Sequence, residues 1–264
     1  MATVHEIEQR LFSWAPRESA MDWDNVGHLV GDPEQEVERI LVALDITERV
    51  VQEAIDCGAQ LIVSHHPLMN VRWHQAEMQT LRPDRYLGRL LRRLVKADIS
   101  VISMHTNLDI APGGVNDALA EALRIEDPGP MPGDETGLCR VGRLRNPVKL
   151  SDFAGEVCKA LHANGVRYAG DRPVEYIAVG GGACGDYIPK AIAAGCDTFV
   201  TSDLRYHDFL DTTALNLIDA GHFPTEDVIC VPLADYLQKV FPAATVIKTT
   251  AHSSEVIQYC IKEK

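Results

Sequence analysis

The sequence predicts an α/β fold built from two α/β lobes, each with a largely parallel sheet and crossover helices. Short apolar runs of strand length alternate along the chain with amphipathic segments of helix length. Ligand-type polar residues directly follow several of these apolar runs, as they do at the carboxyl edges of open parallel sheets. The 264 residues, 46% of them hydrophobic, are enough for a substantial core in each lobe.

The elements of the first lobe, residues 1–127, follow from capping residues and apolar spacing. Thr3 is a predicted N-cap, and Ile7 and Leu11 recur on one helical face. Thr47 begins a second helix, which Gly58 ends. In chain order the predicted elements are a helix over 3–14, a strand over 39–45, a helix from 47 to 57, a strand over 61–63, a helix over 86–97 and a strand over 99–104.

The second lobe, residues 128–226, repeats this alternation after a candidate linker. Residues 126–137 are rich in proline and glycine, which favours a linker there. The C-terminal segment, residues 227–264, is a candidate to pack back onto the first lobe. The predicted elements after residue 112 are a helix ending near 123, a helix over 150–163, a strand over 176–179, a helix over 187–194, a strand over 198–201 and a helix over 207–220.

Composition narrows the class of protein. The formal net charge of −13 argues against nucleic acid as a partner, because the chain as a whole has no attraction to phosphate backbones. Seven scattered cysteines, without a Cys-x-x-Cys pair, are typical of reduced thiols rather than of a disulfide framework. The sequence carries neither a signal-peptide pattern nor an apolar run of membrane-spanning length, so a cytoplasmic protein is expected.

Three short segments supply metal-ligand residue types. Histidine and carboxylate ligands without thiolates suit zinc, manganese or iron at a catalytic site. Five such ligands are too many for one tetrahedral ion and fit two ions that share a bridging carboxylate and activate water for hydrolysis. The alternative is that the paired histidines are ordinary residues at a loop start. The candidate ligands are His65, His66, Asp109, His222 and Glu226, with His105 and His207 close to them in the sequence.

A glycine-rich segment offers a separate hypothesis. Residues 180–185 read Gly-Gly-Gly-Ala-Cys-Gly and satisfy the G-x-G-x-x-G pattern between a predicted strand and helix. Asp203 lies close to where a dinucleotide-binding site would need an acidic residue. The position deep in the chain favours an ordinary strand-to-helix turn, and a cradle of amides for an anion is a weaker alternative.

The strings SHHPL, HTNLDIAPGGVNDALAEAL, TSDLRYHDFLD and LNLIDAGHFPTE together resemble the family of GTP cyclohydrolase 1 type 2 homologues, also called the Nif-three-like dinuclear metal centre family. The resemblance runs from the loop at residues 22–27 to Glu226. It implies two ions held by His65, His66, Asp109, His222 and Glu226, and a ring-like homohexamer whose metal sites face an interior cavity. Some relatives carry an inserted middle domain, for which the short linker here leaves no room. For some members the resemblance also implies opening of the guanine ring of GTP.

The leading hypothesis is a metal-dependent hydrolase of a nucleotide or similar small anionic substrate, with two divalent ions in the cleft between the lobes. His105 and His207 are candidate proton shuttles, or else hydrogen-bond partners of the metal-binding carboxylates. Arg205 or Arg72 is a candidate to make the site locally positive. The competing hypothesis is an oligomeric metal-binding scaffold or regulatory protein without turnover.

Overall fold

The computed structural model describes residues 1–69 and 80–260. Sequence features in the remaining residues, including Arg72 and the end of the C-terminal segment at 261–264, lie outside this description. The chain divides into two compact units. The first unit comprises Met1–Pro112 and Cys230–Ser253, and the second comprises Gly113–Ile229 and Ser254–Lys264.

The helices and strands of the described residues alternate along most of the chain. In order they are β1 (Ala2–Thr3), α1 (Val4–Trp14), β2 (Gly27–Val30), β3 (Glu36–Val37), β4 (Arg39–Ala43), α2 (Glu48–Cys57), β5 (Leu61–Ser64), α3 (Tyr86–Lys96), β6 (Ser100–Ser103), α4 (Thr106–Ile110), α5 (Val115–Ala122), β7 (Glu126–Pro130), β8 (Arg140–Val148), α6 (Leu150–Ala160), β9 (Arg167–Ala169), β10 (Val174–Val179), α7 (Ile188–Ala193), β11 (Thr198–Thr201), α8 (Tyr206–Asp211), β12 (Asn216–Asp219), α9 (His222–Glu226), α10 (Cys230–Val240) and β13 (Thr245–Lys248).

The first unit contains a five-stranded sheet in the order β13-β4-β5-β6-β2. Strands β13, β4, β5 and β6 are parallel, and β2 runs antiparallel to β6 at one edge. All residues of β5 and β6 are buried, which is typical of a parallel sheet covered on both faces. Leu41, Ile62 and Val101 pack on one face against buried residues of α2 and α3, among them Val51 and Leu94.

The second unit contains a six-stranded sheet in the order β7-β8-β10-β11-β12-β9. Its centre, β10-β11-β12, is parallel, whereas β7, β8 and β9 each pair antiparallel with a neighbour. Phe153 of α6 and Leu119 of α5 belong to its core, together with Val179, Val200 and Ile218 of the parallel strands. The predicted α/β class is therefore confirmed, with a mixed sheet in the second unit.

The proposed linker is wrong for its first part. Residues 126–130 form β7, which pairs antiparallel with β8 through Glu126 opposite Arg143 and Pro130 opposite Arg140. Proline is tolerated in β7 because the strand lies at the edge of the sheet, where one side of its backbone needs no partner. The two units divide at Pro112, ahead of the boundary predicted at residue 127, because α5 contributes its apolar face to the core of the second unit.

The predicted helix over 207–220 is also wrong. A short helix, α8, ends at Asp211, and residues 216–219 form the fully buried strand β12, parallel to β11. A short apolar run such as residues 215–218 fits a helix or a strand equally well by periodicity. Here it forms a strand because it pairs with β11 in the sheet. As a result Gly221 and His222 follow the carboxyl end of a strand.

The C-terminal part of the first unit is held by one carboxylate. Glu53 of α2 accepts hydrogen bonds from the hydroxyl of Thr249, the amide and hydroxyl of Thr250 at 3.0 and 2.7 Å, and the amide of Ala251 at 3.2 Å. Burial alone would raise the pKa of Glu53, but these hydrogen bonds outweigh it and lower the pKa below its ordinary value of 4.5. The charged form of Glu53 therefore stabilises the fold.

Replacing Glu53 with alanine is expected to lower the free energy of unfolding by about 1–2 kcal/mol, because several hydrogen bonds to a charged group are lost at a partly exposed site. The folded pKa is depressed, so this contribution is complete above the ordinary pKa and disappears as the pH falls through the folded value. Urea denaturation at pH 7 and at pH 3 measures both effects. The exposed Glu38, whose carboxylate makes no hydrogen bond in the described part of the chain, is the control, and equal losses for Glu53→Ala and Glu38→Ala at pH 7 would contradict the prediction.

Candidate metal centre

The first unit gathers three histidines at the carboxyl ends of adjacent parallel strands. His65 and His66 follow β5. Their amides donate to the carbonyls of Ala43, the last residue of β4, and of Leu44, at 3.2 and 2.9 Å. His105 follows β6 and precedes α4. The three imidazole rings lie close together, with centroids 5.1 Å apart for His65 and His66, 5.2 Å for His65 and His105, and 5.7 Å for His66 and His105.

Each of these histidines is held at Nδ1 by an oxygen that can only accept. Nδ1 of His65 donates to the carbonyl of Met104 at 2.8 Å, and Nδ1 of His66 donates to Asp45 at 2.6 Å. Nδ1 of His105 donates to Asp24 at 2.9 Å. Because the proton is fixed on Nδ1, Nε2 carries the lone pair, and this is the arrangement that metal-binding histidines show.

The ligand atoms of His65, His66 and His105 lie within 4.8 Å of one another, close enough to surround one metal ion. Asp109, on the short helix α4, is buried and brings Oδ1 to 3.5 Å from Nε2 of His65. We call His65, His66, His105 and Asp109 the first cluster.

Asp24 makes His105 part of a wider network. Its Oδ1 accepts from His105, and its Oδ2 accepts from the amide of Thr106 at 3.0 Å and from the hydroxyl of the same residue. Burial would raise the pKa of Asp24, but these contacts dominate and lower it to about 2. Asp24 is therefore ionised at neutral pH and fixes the orientation of the His105 ring.

The second unit also has a histidine and a carboxylate partner at the carboxyl ends of neighbouring parallel strands, β11 and β12. Asp203 follows β11, and His222 begins α9 after β12. Nδ1 of His222 lies 2.5 Å from Oδ2 of Asp203, and Nε2 lies 3.0 Å from Oε2 of Glu226, one helical turn further on. We call Asp203, His222 and Glu226 the second cluster.

The two carboxylates of the second cluster determine the charge of His222. Burial alone would lower the pKa of this imidazole, but attraction to Glu226 and the hydrogen bond to Asp203 outweigh it and raise the pKa to about 11. Asp203 itself adopts a left-handed backbone conformation, with φ of 56°, which is uncommon for a residue other than glycine. Strain of this kind concentrates at functional sites, and here it aims the carboxylate of Asp203 at His222.

The glycine-rich segment does not form an anion cradle, because its amides already donate hydrogen bonds to side-chain oxygens. The amide of Gly181 donates to Asn116 at 2.7 Å, that of Gly182 to the hydroxyl of Thr225 at 3.0 Å, and that of Cys184 to the hydroxyl of Thr201 at 3.2 Å. A phosphate-binding loop needs such amides pointing at its ligand. The anion-cradle alternative is therefore wrong, and the loop packs against the second cluster instead.

The predicted ligands thus fall into both clusters. His65, His66 and Asp109 belong to the first, and His222 and Glu226 belong to the second. His105 lies in the first cluster. His207 lies exposed on α8, where its ring contacts that of Tyr206 at 5.3 Å, and Arg205 is exposed and paired with Asp208 at 3.1 Å.

Sequence reasoning missed the residues that orient the histidines. Asp45 follows β4 and Asp203 follows β11, so both lie just after the carboxyl end of a strand, as His65 and His66 do. A second contact of Asp45 was also missed, since its Oδ2 lies 3.6 Å from Nδ1 of His252 near the end of the first unit. A search for one carboxylate per histidine at neighbouring strand ends identifies Asp45 and Asp203.

The donor chemistry of both clusters fits a divalent first-row metal. Each cluster combines imidazole nitrogen with carboxylate oxygen, the mixture expected for zinc, manganese or iron. Hydrogen bonds fix the tautomer of His65, His66 and His105 in advance, so little reorganisation is needed for Nε2 to bind an ion. A buried group of histidines and acids that could hold a metal ion is therefore present in the described residues.

Comparison with known proteins identifies the family of this chain. A family model described as Duf34/NIF3 (NGG1p interacting factor 3) matches residues 2–256. A Streptomyces coelicolor protein named GTP cyclohydrolase 1 type 2 homolog is 38% identical over 239 residues, which cover 86% of this chain and 82% of the relative. A Clostridium perfringens protein of the same name is 35% identical and covers 85% of this chain and 87% of the relative. The crystal structure of Staphylococcus aureus hypothetical protein SA1388 matches with a TM-score of 0.88 at 30% identity, over 98% of this chain and 99% of that one. Since the family model matches nearly the whole sequence, the chain belongs to the DUF34/NIF3 family.

Proposed function

We propose that this protein binds two divalent metal ions through His65, His66, Asp109, His222 and Glu226, and that it is a metal-dependent hydrolase of a nucleotide or similar small anionic substrate. The observation that carries the proposal is shared by three histidines. His65, His66 and His105 each have Nδ1 held by an acceptor oxygen, so Nε2 carries the lone pair that can bind a metal or take up a proton. Core packing alone gives no reason for three rings to share this tautomer.

The chain's own residues would orient the ligands and move protons. Asp45 and Asp203 orient His66 and His222 and increase their basicity as ligands. His105, anchored at Nδ1 by Asp24, is the better placed of the two candidate proton shuttles, because its ring lies beside His65 and His66. His207 as a second shuttle stays a prediction. Two divalent ions would supply Lewis-acid activation of water for the hydrolysis.

The names of the relatives decide which substrate to test first. Several similar proteins are named GTP cyclohydrolase 1 type 2 homolog, which makes GTP the first nucleotide to try. The proposal also includes homohexameric assembly, which the resemblance to the family implies. It further includes a cytoplasmic location, which the pattern of scattered cysteines favours. Among the described residues, helices of the length and apolar character needed to cross a membrane are absent.

The test combines metal analysis of the full-length protein, purified without chelator, with a hydrolysis screen over nucleotides. The expected result is about two ions per chain and turnover of GTP or a related nucleotide. Glu226→Gln is expected to lose both bound metal and turnover, whereas Glu156→Gln, at an exposed position on α6, is expected to lose neither. Absence of bound metal would contradict the proposal that the protein has a metal centre. Two ions per chain without turnover of any nucleotide would overturn the hydrolase and favour the scaffold.

A further inference from the structure

Gly182 occupies a position in the second unit where a side chain cannot fit. A Cβ atom built on Gly182 would lie 2.1 Å from Oε1 of Glu226 and 3.3 Å from Nε2 of His222. The first distance is far below any real carbon–oxygen contact, so either the loop or the carboxylate would have to move. The three nearest atoms all belong to the predicted metal ligands Glu226 and His222.

The loop that carries Gly182 is fixed and cannot withdraw easily. The Gly182 amide donates to the hydroxyl of Thr225, and its carbonyl accepts from the hydroxyl of Thr201 and the amide of Ser202, each at 3.0 Å. Thr225 is fully buried and precedes Glu226 directly in α9. Moving the loop would break these buried hydrogen bonds and leave buried polar groups unpaired, which is unfavourable. Displacement of the Glu226 side chain is the less costly response.

We propose that Gly182 is a positioning residue for the metal ligand Glu226. Its missing side chain provides the space in which Oε1 of Glu226 lies, and the bond from its amide to Thr225 keeps the loop in register with α9. The pattern of the glycine-rich segment alone suggested a nucleotide-binding loop. In the structure this segment instead provides the space for the carboxylate of a metal ligand. This inference rests on the proposed function, because Glu226 must bind metal for Gly182 to matter.

The test replaces Gly182 with alanine and compares it with Gly137→Ala. Gly182 and Gly137 have nearly the same left-handed backbone, with φ of 66° and 67°, but a Cβ on Gly137 would meet no atom within 4 Å. Both variants therefore carry the same kind of backbone strain, and only Gly182→Ala displaces a ligand. Titration of the full-length, metal-depleted proteins with Zn²⁺ gives the affinity, and the visible spectrum with Co²⁺ reports the ligand geometry.

Gly182→Ala is expected to weaken Zn²⁺ binding about tenfold or more and to change the Co²⁺ spectrum. Gly137→Ala is expected to keep both as in the wild type. In a Glu226→Gln background, Gly182→Ala is expected to add little further loss, since it acts through the missing carboxylate. Wild-type affinity of Gly182→Ala, or an undiminished tenfold loss in the Glu226→Gln background, would overturn the inference. Failure of the wild type to bind metal, or unchanged binding by Glu226→Gln alone, would instead overturn the proposed function.

Discussion

Replacing His65 with alanine is expected to weaken metal binding by about a hundredfold or more, since loss of a residue that merely orients a ligand already costs 10–100-fold. The His65 side chain is fully buried, so a side chain from the protein surface cannot take its place as a ligand. Its Nδ1 is fixed by Met104, and its Nε2 faces Asp109 at 3.5 Å. Alanine removes the nitrogen and leaves the carboxylate of Asp109 facing an empty volume.

Zinc titration of metal-depleted protein, with metal analysis of the protein as purified, measures this effect. His5→Ala is the matched control, because His5 lies exposed on α1 in the same unit and alanine suits a helix. Circular dichroism of both variants shows whether the fold is retained. Retention of wild-type zinc affinity by a folded His65→Ala protein would contradict the assignment of His65 as a ligand.

Asp203→Gly is expected to weaken metal binding about 10–100-fold with little net change in the stability of the metal-free protein, because relief of backbone strain offsets the lost contact with His222. The carboxylate of Asp203 orients His222 through the 2.5 Å contact at Nδ1 and is lost in the variant. Glycine adopts the left-handed conformation that Asp203 holds at φ 56° without strain, so the backbone gains from the change. Loss of affinity without loss of stability therefore separates orientation of a ligand from support of the fold.

Thermal unfolding of the metal-depleted proteins and zinc titration provide the two readouts. Asp203→Asn is expected to give an intermediate affinity, because its amide oxygen still accepts from Nδ1 but carries no charge. Asp211→Gly, at an exposed position in the same unit, is expected to keep wild-type affinity. Equal zinc affinities for Asp203→Gly and Asp211→Gly would contradict the role assigned to Asp203.

The elements that the sequence predicts best are those with explicit end signals. Helix α2 has the predicted bounds because the hydroxyl of Thr47 accepts from the Val50 amide at its start and Gly58, with φ of 69°, ends it. Helix α1 begins after Thr3 with a complete capping box that includes Glu6. His65 and His66 could be found because they directly follow an apolar run of strand length. Parallel strands bring their carboxyl ends to one edge of the sheet, so this position can be recognised from the sequence next to the histidines.

The elements that were missed depend on contacts distant in sequence. Strands β7 and β9 are edge strands of largely exposed or half-buried residues, so neither has the apolar alternation that marks a strand. Strand β12 reads as a helix until β11 is available to pair with it. The orienting roles of Asp45 and Asp203 arise only when strand ends become neighbours, and the space that Glu226 needs beside Gly182 has no signature in the pattern of glycines.

Strand β13 joins the first unit from the far end of the chain, and this affects the newly made protein. Strand β4 begins at Arg39, whereas its partner β13 begins at Thr245, about two hundred residues later. At synthesis rates of about 5–20 residues per second, β4 waits on the order of ten to forty seconds on the ribosome for this neighbour. During that time it is the open edge of an apolar parallel sheet, the kind of surface to which other nascent chains add. This edge of the sheet can therefore close only after β13 has been synthesised.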